Sequence, residues 1–125
     1  MKISTLIIED NENNMYLTTF LLENSGHTVH QAYDGTEGVK MAKEILPDLI
    51  LLDIQLPKMN GYDVAKALRQ DTALATTPIV AITSYAMPGD QEKALNSGCN
   101  GYIKKPINPD TFLAEIESYL EKQKH

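Results

Sequence analysis

Asp53 follows four consecutive apolar residues, Leu49 to Leu52, and the apolar character resumes at Ile54 and Leu56. A carboxylate in that setting is costly to bury unless something compensates its charge. The chain repeats the pattern earlier, where the run Leu6 to Ile8 ends in Glu9 and Asp10. Two later apolar runs also end in polar groups, Thr83-Ser84 and Lys104-Lys105. Crowded carboxylates repel: a pair about 4 Å apart in an effective dielectric of about 20 costs roughly 4 kcal/mol. Such acids share a proton, spread apart or bind a cation. Oxygen ligands without His or Cys favour a hard divalent ion, Mg2+ before Zn2+. An Mg2+ held by few carboxylates keeps waters and takes phosphate oxygens. A lysine and a hydroxyl at the same spot suit a phosphoryl group.

These residues need a scaffold that brings them together, and the chain reads as strands alternating with helices. The first strand is Ile3 to Ile8. A helix from about Asn11 to Ser25 follows, with Leu17, Phe20 and Leu21 inward at i, i+3, i+4, stopped by Gly26. Thr28 to Ala32 is a polar strand that belongs at a sheet edge. Asp34 with Glu37 resembles a capping box for a second helix carrying Val39, Ala42 and Leu46, and Pro47 ends it. Asp48 to Leu52 is the most apolar strand and therefore central. Asn60 or Gly61 opens a third helix with Val64, Ala65 and Leu68 inward. Pro78 to Ile82 is the fourth strand, Pro88 to Asn96 a fourth helix, and Gly101 to Lys104 the fifth strand. Asn108-Pro109 pairs an N-cap with a first-turn proline. The final helix carries Phe112, Leu113, Ile116, Tyr119 and Leu120. The NSG triplets at 24–26 and 96–98 are shared helix-stop chemistry rather than a repeat.

Alternating strands and helices imply right-handed crossovers and a parallel sheet covered on both faces. Ligands of such open sheets bind at the carboxyl ends of the strands. That edge collects Glu9, Asp10, Asp53, Thr83, Ser84, Lys104 and Lys105.

Composition sets the frame. The 125 residues fit one domain with its own core, and 42% apolar with 22% charged residues is globular rather than disordered. A net charge of −6 without a basic cluster argues against nucleic-acid binding. One cysteine, Cys99, excludes an internal disulfide framework and suits a reducing compartment. The leading apolar run is too short for a signal peptide, and no segment approaches a membrane span. The expectation is a cytoplasmic protein with no membrane insertion.

Across essentially its whole length the chain resembles the receiver domains of two-component response regulators. The resemblance rests on Glu9-Asp10, on Asp53 with Leu56-Pro57 and Gly61 downstream, on Thr83-Ser84 and on Lys105-Pro106. It implies a single three-layer (βα)5 flavodoxin-like α/β domain whose parallel five-stranded sheet has the order 2-1-3-4-5. It also implies roles. Asp53 is the expected phosphoacceptor, a carboxylate nucleophile toward phosphohistidine. Asp10, Asp53 and the Gln55 backbone carbonyl are the expected Mg2+ ligands, with Glu9 acting nearby through water. Lys105 would hold the phosphoryl oxygens, and Thr83 would bond the phosphoryl group once formed. Thr83 and Tyr102 would form the switch. Gln55 and Tyr85 are expected to tune the phosphoryl lifetime. Lys105-Pro106 is expected to be cis. The implied partners are a histidine kinase or histidine phosphotransfer protein, and a protein target on the face of helix four, strand five and helix five.

Plainer readings stand beside these. Asp53 alone could cap a loop, Asp10 could be the N-cap of the first helix, and Thr83-Ser84 could be turn residues. Lys104 reads as a solvated strand end. Met15, Met41, Met59 and Met87 read as packing residues, Cys99 as structural, and His27, His30 and His125 as surface residues without metal-ligand spacing.

Functionally, the expectation is a stand-alone receiver covering residues 1–125, without an output domain and without turnover of a separate substrate. Met1 lies close to the first strand, and the chain ends just after the last helix. A receiver from a hybrid kinase or larger regulator is the alternative, since the segments Glu9–Asn14 and Asp53–Pro57 fit both. An aspartyl-phosphate hydrolase would typically carry a second Asp two residues after the nucleophile, where this chain has Gln55. A flavin-binding relative would need a Thr/Ser/Gly phosphate loop after the first strand, where this chain is acidic.

Overall fold

The computed structural model describes residues 2–84 and 88–123. Five strands alternate with five helices: β1 Ser4–Ile8, α1 Glu12–Asn24, β2 Thr28–Ala32, α2 Gly35–Ile45, β3 Leu49–Asp53, α3 Gly61–Gln70, β4 Ile79–Thr83, α4 Asp90–Asn96, β5 Gly101–Lys104 and α5 Phe112–Gln123. The strands form one parallel sheet in the order β2-β1-β3-β4-β5. This is the expected flavodoxin-like architecture. Every residue of β3 and β4 is buried, whereas β2 is largely polar and lies at the edge.

Alternation along the strands feeds two cores. Leu6, Ile8, Ile50, Leu52, Ile79 and Ala81 face one side, against Ala42 of α2, Val64, Ala65 and Leu68 of α3 and Ala94 of α4. Ile7, Leu49, Leu51, Val80, Ile82 and Ile103 face the other, against Met15 and Leu22 of α1 and Phe112, Ile116 and Leu120 of α5. The stripe expected on the last helix is thus the one that packs. No helix among the described residues is long and apolar enough to cross a membrane.

Several local expectations shift. On α1 the buried face is Met15, Thr18 and Leu22, while Phe20 is 52% exposed and stacks on exposed Tyr16 at 6.3 Å between ring centroids. Leu17 and Leu21 only flank the core. Polar Thr18 disguises the true stripe. Its hydroxyl donates to the Asn14 carbonyl at 2.8 Å, so it can be buried without loss of a hydrogen bond. Leu46 is not on the inward stripe of α2. It is the C-terminal cap, left-handed at φ 52° and exposed, because Pro47 cannot continue the helix. A 3-10 turn at Thr72–Leu74, not expected from the sequence, is capped by Asp71 and buries Leu74. His27 is half-buried rather than a surface residue, and its Nδ1 accepts the Ile3 N–H at 3.1 Å. His30 is likewise half-buried. Met87 and His125 lie outside the described residues. α4 begins at Asp90 and α5 at Phe112, each later than the sequence signals suggest. Asn108 still organises the turn leading into α5, accepting the Asp110 N–H on its side chain and the Phe112 N–H on its carbonyl.

Gly61 links the fold to the sheet edge. Its N–H donates to the Ile54 carbonyl at 2.9 Å, and a Cβ there would lie 2.5 Å from Ile54 Cα and 2.7 Å from the Asp53 carbonyl oxygen. Only glycine lets α3 start flush against the loop that carries Asp53. Gly61→Ala is expected to lower stability in urea unfolding by about 1–3 kcal/mol. An unchanged unfolding midpoint would show that the loop yields to the methyl group.

Candidate functional site: an acidic rim with one lysine

The site is assembled from strand ends. Asp53 is the last residue of β3, Glu9 and Asp10 follow β1, Thr83 ends β4, and Lys105 follows β5. Parallel registers hold these ends level: Ile8 stands beside Leu52, Asp53 beside Ile82, and Thr83 beside Lys104. Residues 96 positions apart in sequence thereby meet, with Lys105 Nζ 3.0 Å from Glu9 Oε1 and 3.4 Å from Asp53 Oδ2.

Glu9 and Asp53 are each only 3% exposed. Each has a backbone donor besides the lysine. Asp53 Oδ1 accepts the Gln55 N–H at 2.9 Å, and Glu9 Oε2 accepts the Asn11 N–H at 3.3 Å. Burial above all, and then Asp53, pushes the Glu9 carboxyl up to about 8, against the opposing pull of Lys105. Asp10 is exposed. The cap of α1 is Asn11, whose side chain accepts the Asn14 N–H at 2.9 Å. Asp10 is therefore not the helix cap, and its carboxylate is left to the rim. One carboxylate oxygen from each of Glu9, Asp10 and Asp53 lies within 4.8 Å of the others. An all-oxygen set of this span fits a hard divalent cation such as Mg2+.

Asp10 and Asp53 open into a cleft of about 480 Å³ lined also by Asn14, Gln55, Ser84 and Lys105. Lys105 is fixed at its backbone, where its N–H donates to the Thr83 carbonyl at 2.7 Å, and the Lys105–Pro106 bond is cis as expected. Thr83 is 1% exposed. Tyr102 stands opposite Ala81 rather than Thr83 and packs, half-buried, against the α3–α4 side core. Burial, then Asp90, pushes the Tyr102 phenol up. Tyr119 of α5 fixes the Tyr102 backbone: its hydroxyl accepts the Tyr102 N–H at 3.3 Å and donates to the Tyr102 carbonyl at 3.1 Å. Gly101 makes room for that ring, since a Cβ there would meet it at 2.6 Å. Lys104 is an exposed strand end, and Tyr85 lies outside the described residues. Cys99 is buried beside the core, its thiol pushed up to about 11 by burial, which leaves it inert.

Sequence reasoning gave Ser84 no part of its own. Its hydroxyl and its N–H both donate to Gln55 Oε1, at 2.7 and 3.0 Å. The partners are 29 residues apart on neighbouring loops, and no local pattern announces the pairing.

A sequence model of the response regulator receiver domain matches residues 5–117. The chain belongs to the response regulator receiver family. It is 45% identical over 120 residues to the polar-differentiation response regulator DivK of Brucella anthropi, covering 96% of this chain and 98% of that protein. The chemotaxis response regulator CheY4 of Vibrio cholerae has a crystal structure similar to this receiver at TM-score 0.90 and 27% identity, over 95% of this chain and 99% of that one. The receiver domain of a sensor histidine kinase from Pseudomonas aeruginosa is similar at TM-score 0.88 and 29% identity, over 97% of this chain and 99% of that one. That structure is described with a magnesium ion coordinated in the active-site cleft.

The raised Glu9 pKa makes this rim pH-sensitive. In the unfolded chain Glu9 loses its proton near the ordinary value of 4.5, while the folded chain keeps it to about 8. The folded state therefore binds the extra proton in between, and its stability falls as pH rises across that window. Urea midpoints at pH 5.5 and 8 without divalent ions should show a drop that is smaller in Glu9→Gln. Equal drops in the two proteins would contradict the assignment. A cation that needs Glu9 ionised binds more tightly as pH rises, so Mg2+ should narrow the wild-type drop.

Proposed function

We propose that this chain is a stand-alone receiver that takes a phosphoryl group from phosphohistidine onto Asp53 and signals by phosphorylation-dependent protein binding. The observation that carries the reading is the rim itself: Asp53, almost wholly buried, lies within 3.4 Å of Lys105 and in one oxygen cluster with Glu9 and Asp10. Asp53 supplies the nucleophilic oxygen. Its bond to phosphorus forms as the phosphorus–nitrogen bond to the imidazole breaks, and the imidazole leaves with the electron pair. Phosphoryl transfer asks chiefly for positioning and charge stabilisation. A fixed carboxylate and a fixed ammonium meet that demand without a general base. Asp10, Asp53 and the Gln55 carbonyl would hold Mg2+, with Glu9 reaching it through water. The ion's contribution is to neutralise charge on the phosphoryl oxygens.

The new group adds about −1.5 to −2 charge at Asp53. Thr83, at the end of the neighbouring strand, would bond it, and Tyr102 would respond within β5. The face of α4, β5 and α5 is the proposed output surface. The histidine kinase or phosphotransfer protein and the target are protein partners, and neither nucleic acid nor membrane is involved. The cytoplasm is the proposed location. The DivK relatives support the stand-alone reading, because this chain spans 98% of their length. The similar kinase receivers support the alternative, a domain of a larger kinase. Turnover of a small phosphate ester is disfavoured, because Gln55 stands where a second carboxylate would be needed and its side-chain oxygen is held by Ser84.

Incubation with a small acyl phosphate and Mg2+ is expected to label the protein, and Asp53→Asn to abolish the label. Wild-type labelling in that variant would exclude Asp53 as the acceptor. Lys105→Ala is expected to stay folded, since Glu9 can take up a proton, but to label about 100-fold more slowly. An unchanged labelling rate with an unchanged circular dichroism spectrum would remove the lysine from the transfer step.

A further inference from the structure

Two surface features away from the rim complement each other in polarity and charge. The first is on α1. At 3.6 residues per turn Glu12, Tyr16, Phe20 and Glu23 fall within an arc of about 80° on one face of that helix, and all four are exposed. Among the described residues Tyr16 is the most exposed large hydrophobic side chain, at 72%. Its ring stacks on that of Phe20 with 14° between the planes. Gln31 Nε2 donates to Thr19 Oγ1 at 3.0 Å, which ties α1 to β2 beside this pair. The result is a stripe of two stacked aromatic rings with a carboxylate at each end.

The second feature is a groove of about 370 Å³ between α2 and α3, on the opposite side of the sheet from α1. Val39, Met59 and Ala67 give it an apolar floor, and exposed Lys40 and Lys43 stand along it. Among the described residues no carboxylate lines it, and neither lysine forms an ion pair, although Glu37 and Glu44 lie within a helical turn of Lys40. Lys58 and Lys66, exposed and next in sequence to Met59 and Ala67, add positive charge nearby. In a chain of net charge −6 this is a local excess of the opposite sign.

An apolar groove edged by unpaired lysines fits an occupant whose apolar side chains are flanked by carboxylates. The α1 stripe has that composition. We propose that the α1 stripe of one copy docks in the α2–α3 groove of the next. Tyr16 and Phe20 would cover Val39, Met59 and Ala67, and Glu12 and Glu23 would face the lysines. Rings already stacked on each other lose little freedom on docking. Stripe and groove are different surfaces, so a copy that docks by one still presents the other. The contact is heterologous, and association continues beyond a pair. Neither surface includes a residue of the rim, so this inference stands apart from phosphotransfer to Asp53.

The test is sedimentation equilibrium of the whole chain. So small a contact belongs to the weak class, so protein is taken up to about 1 mM. The average mass of the wild type should rise with concentration past that of two copies. Tyr16→Ala/Phe20→Ala spoils the stripe alone and Lys43→Glu the groove alone, and each variant should stay monomeric with an unchanged urea midpoint. Should either lose stability, Glu23→Lys and Lys40→Glu alter the same two faces. Mixed in equal amounts, a stripe variant and a groove variant should form a pair and nothing larger, because one intact stripe then meets one intact groove. A monomeric wild type would overturn the proposal and leave the groove to an acidic partner other than this chain. A mass that levels at two copies, a variant that associates as wild type does, or a mixture that stays monomeric would overturn it as well.

Discussion

The rim depends on one cation. Lys105 Nζ stands 3.0 Å from Glu9 and 3.4 Å from Asp53, two carboxylates that are almost fully removed from water. Buried like charges at this separation are tolerable only if a proton, a lysine or a metal offsets them. The lysine offsets part of the repulsion. Burial above all, and then Asp53, still holds the Glu9 carboxyl up to about 8. An added hard cation would offset what repulsion remains between the carboxylates. On the proposed reading, a phosphoryl group on Asp53 would bring negative charge to a place where a positive charge is already fixed.

The scaffold makes the arrangement rigid. β3 and β4 are buried along their whole length, so Asp53 and Thr83 each end a strand with no exposed residue. Lys105 is tied to the Thr83 carbonyl, and Gly61 brings the start of α3 against the Asp53 backbone. Tyr119 holds the backbone of β5, the strand on which Tyr102 is placed. The strand that would have to respond to phosphorylation is thus the edge strand, with neighbours on one side of the sheet only. The loops after β3 and β4 are tied directly to each other by the Gln55–Ser84 bridge.

Much of this was legible in the residues because the signals were local. Apolar runs ending in Glu9, Asp53 and Thr83 mark strands and their exits. Asp34 with Glu37, Asn60 and Gly26 mark helix ends through single hydrogen bonds or a single backbone conformation. What was not legible depends on tertiary partners. The inward face of α1 includes Thr18, a polar residue made buriable by a bond within its own helix. Asp10 reads as a possible cap of α1, and only the structure shows that Asn11 takes the role. Leu46 reads as core until Pro47 forces it to be the last, left-handed residue of its helix. The Ser84–Gln55 pair joins two loops that share no sequence pattern.

A rim that serves phosphoryl transfer to Asp53 would place the group there and nowhere else. The most direct test traps the acyl phosphate after incubation with a small acyl phosphate and Mg2+. Borohydride reduction converts a phosphorylated aspartate to homoserine, which peptide mapping by mass spectrometry then locates. Homoserine at position 53 alone is the expected result. Modification at Glu9 or Asp10, or phosphate on Ser84 or Thr83 instead, would contradict Asp53 as the acceptor.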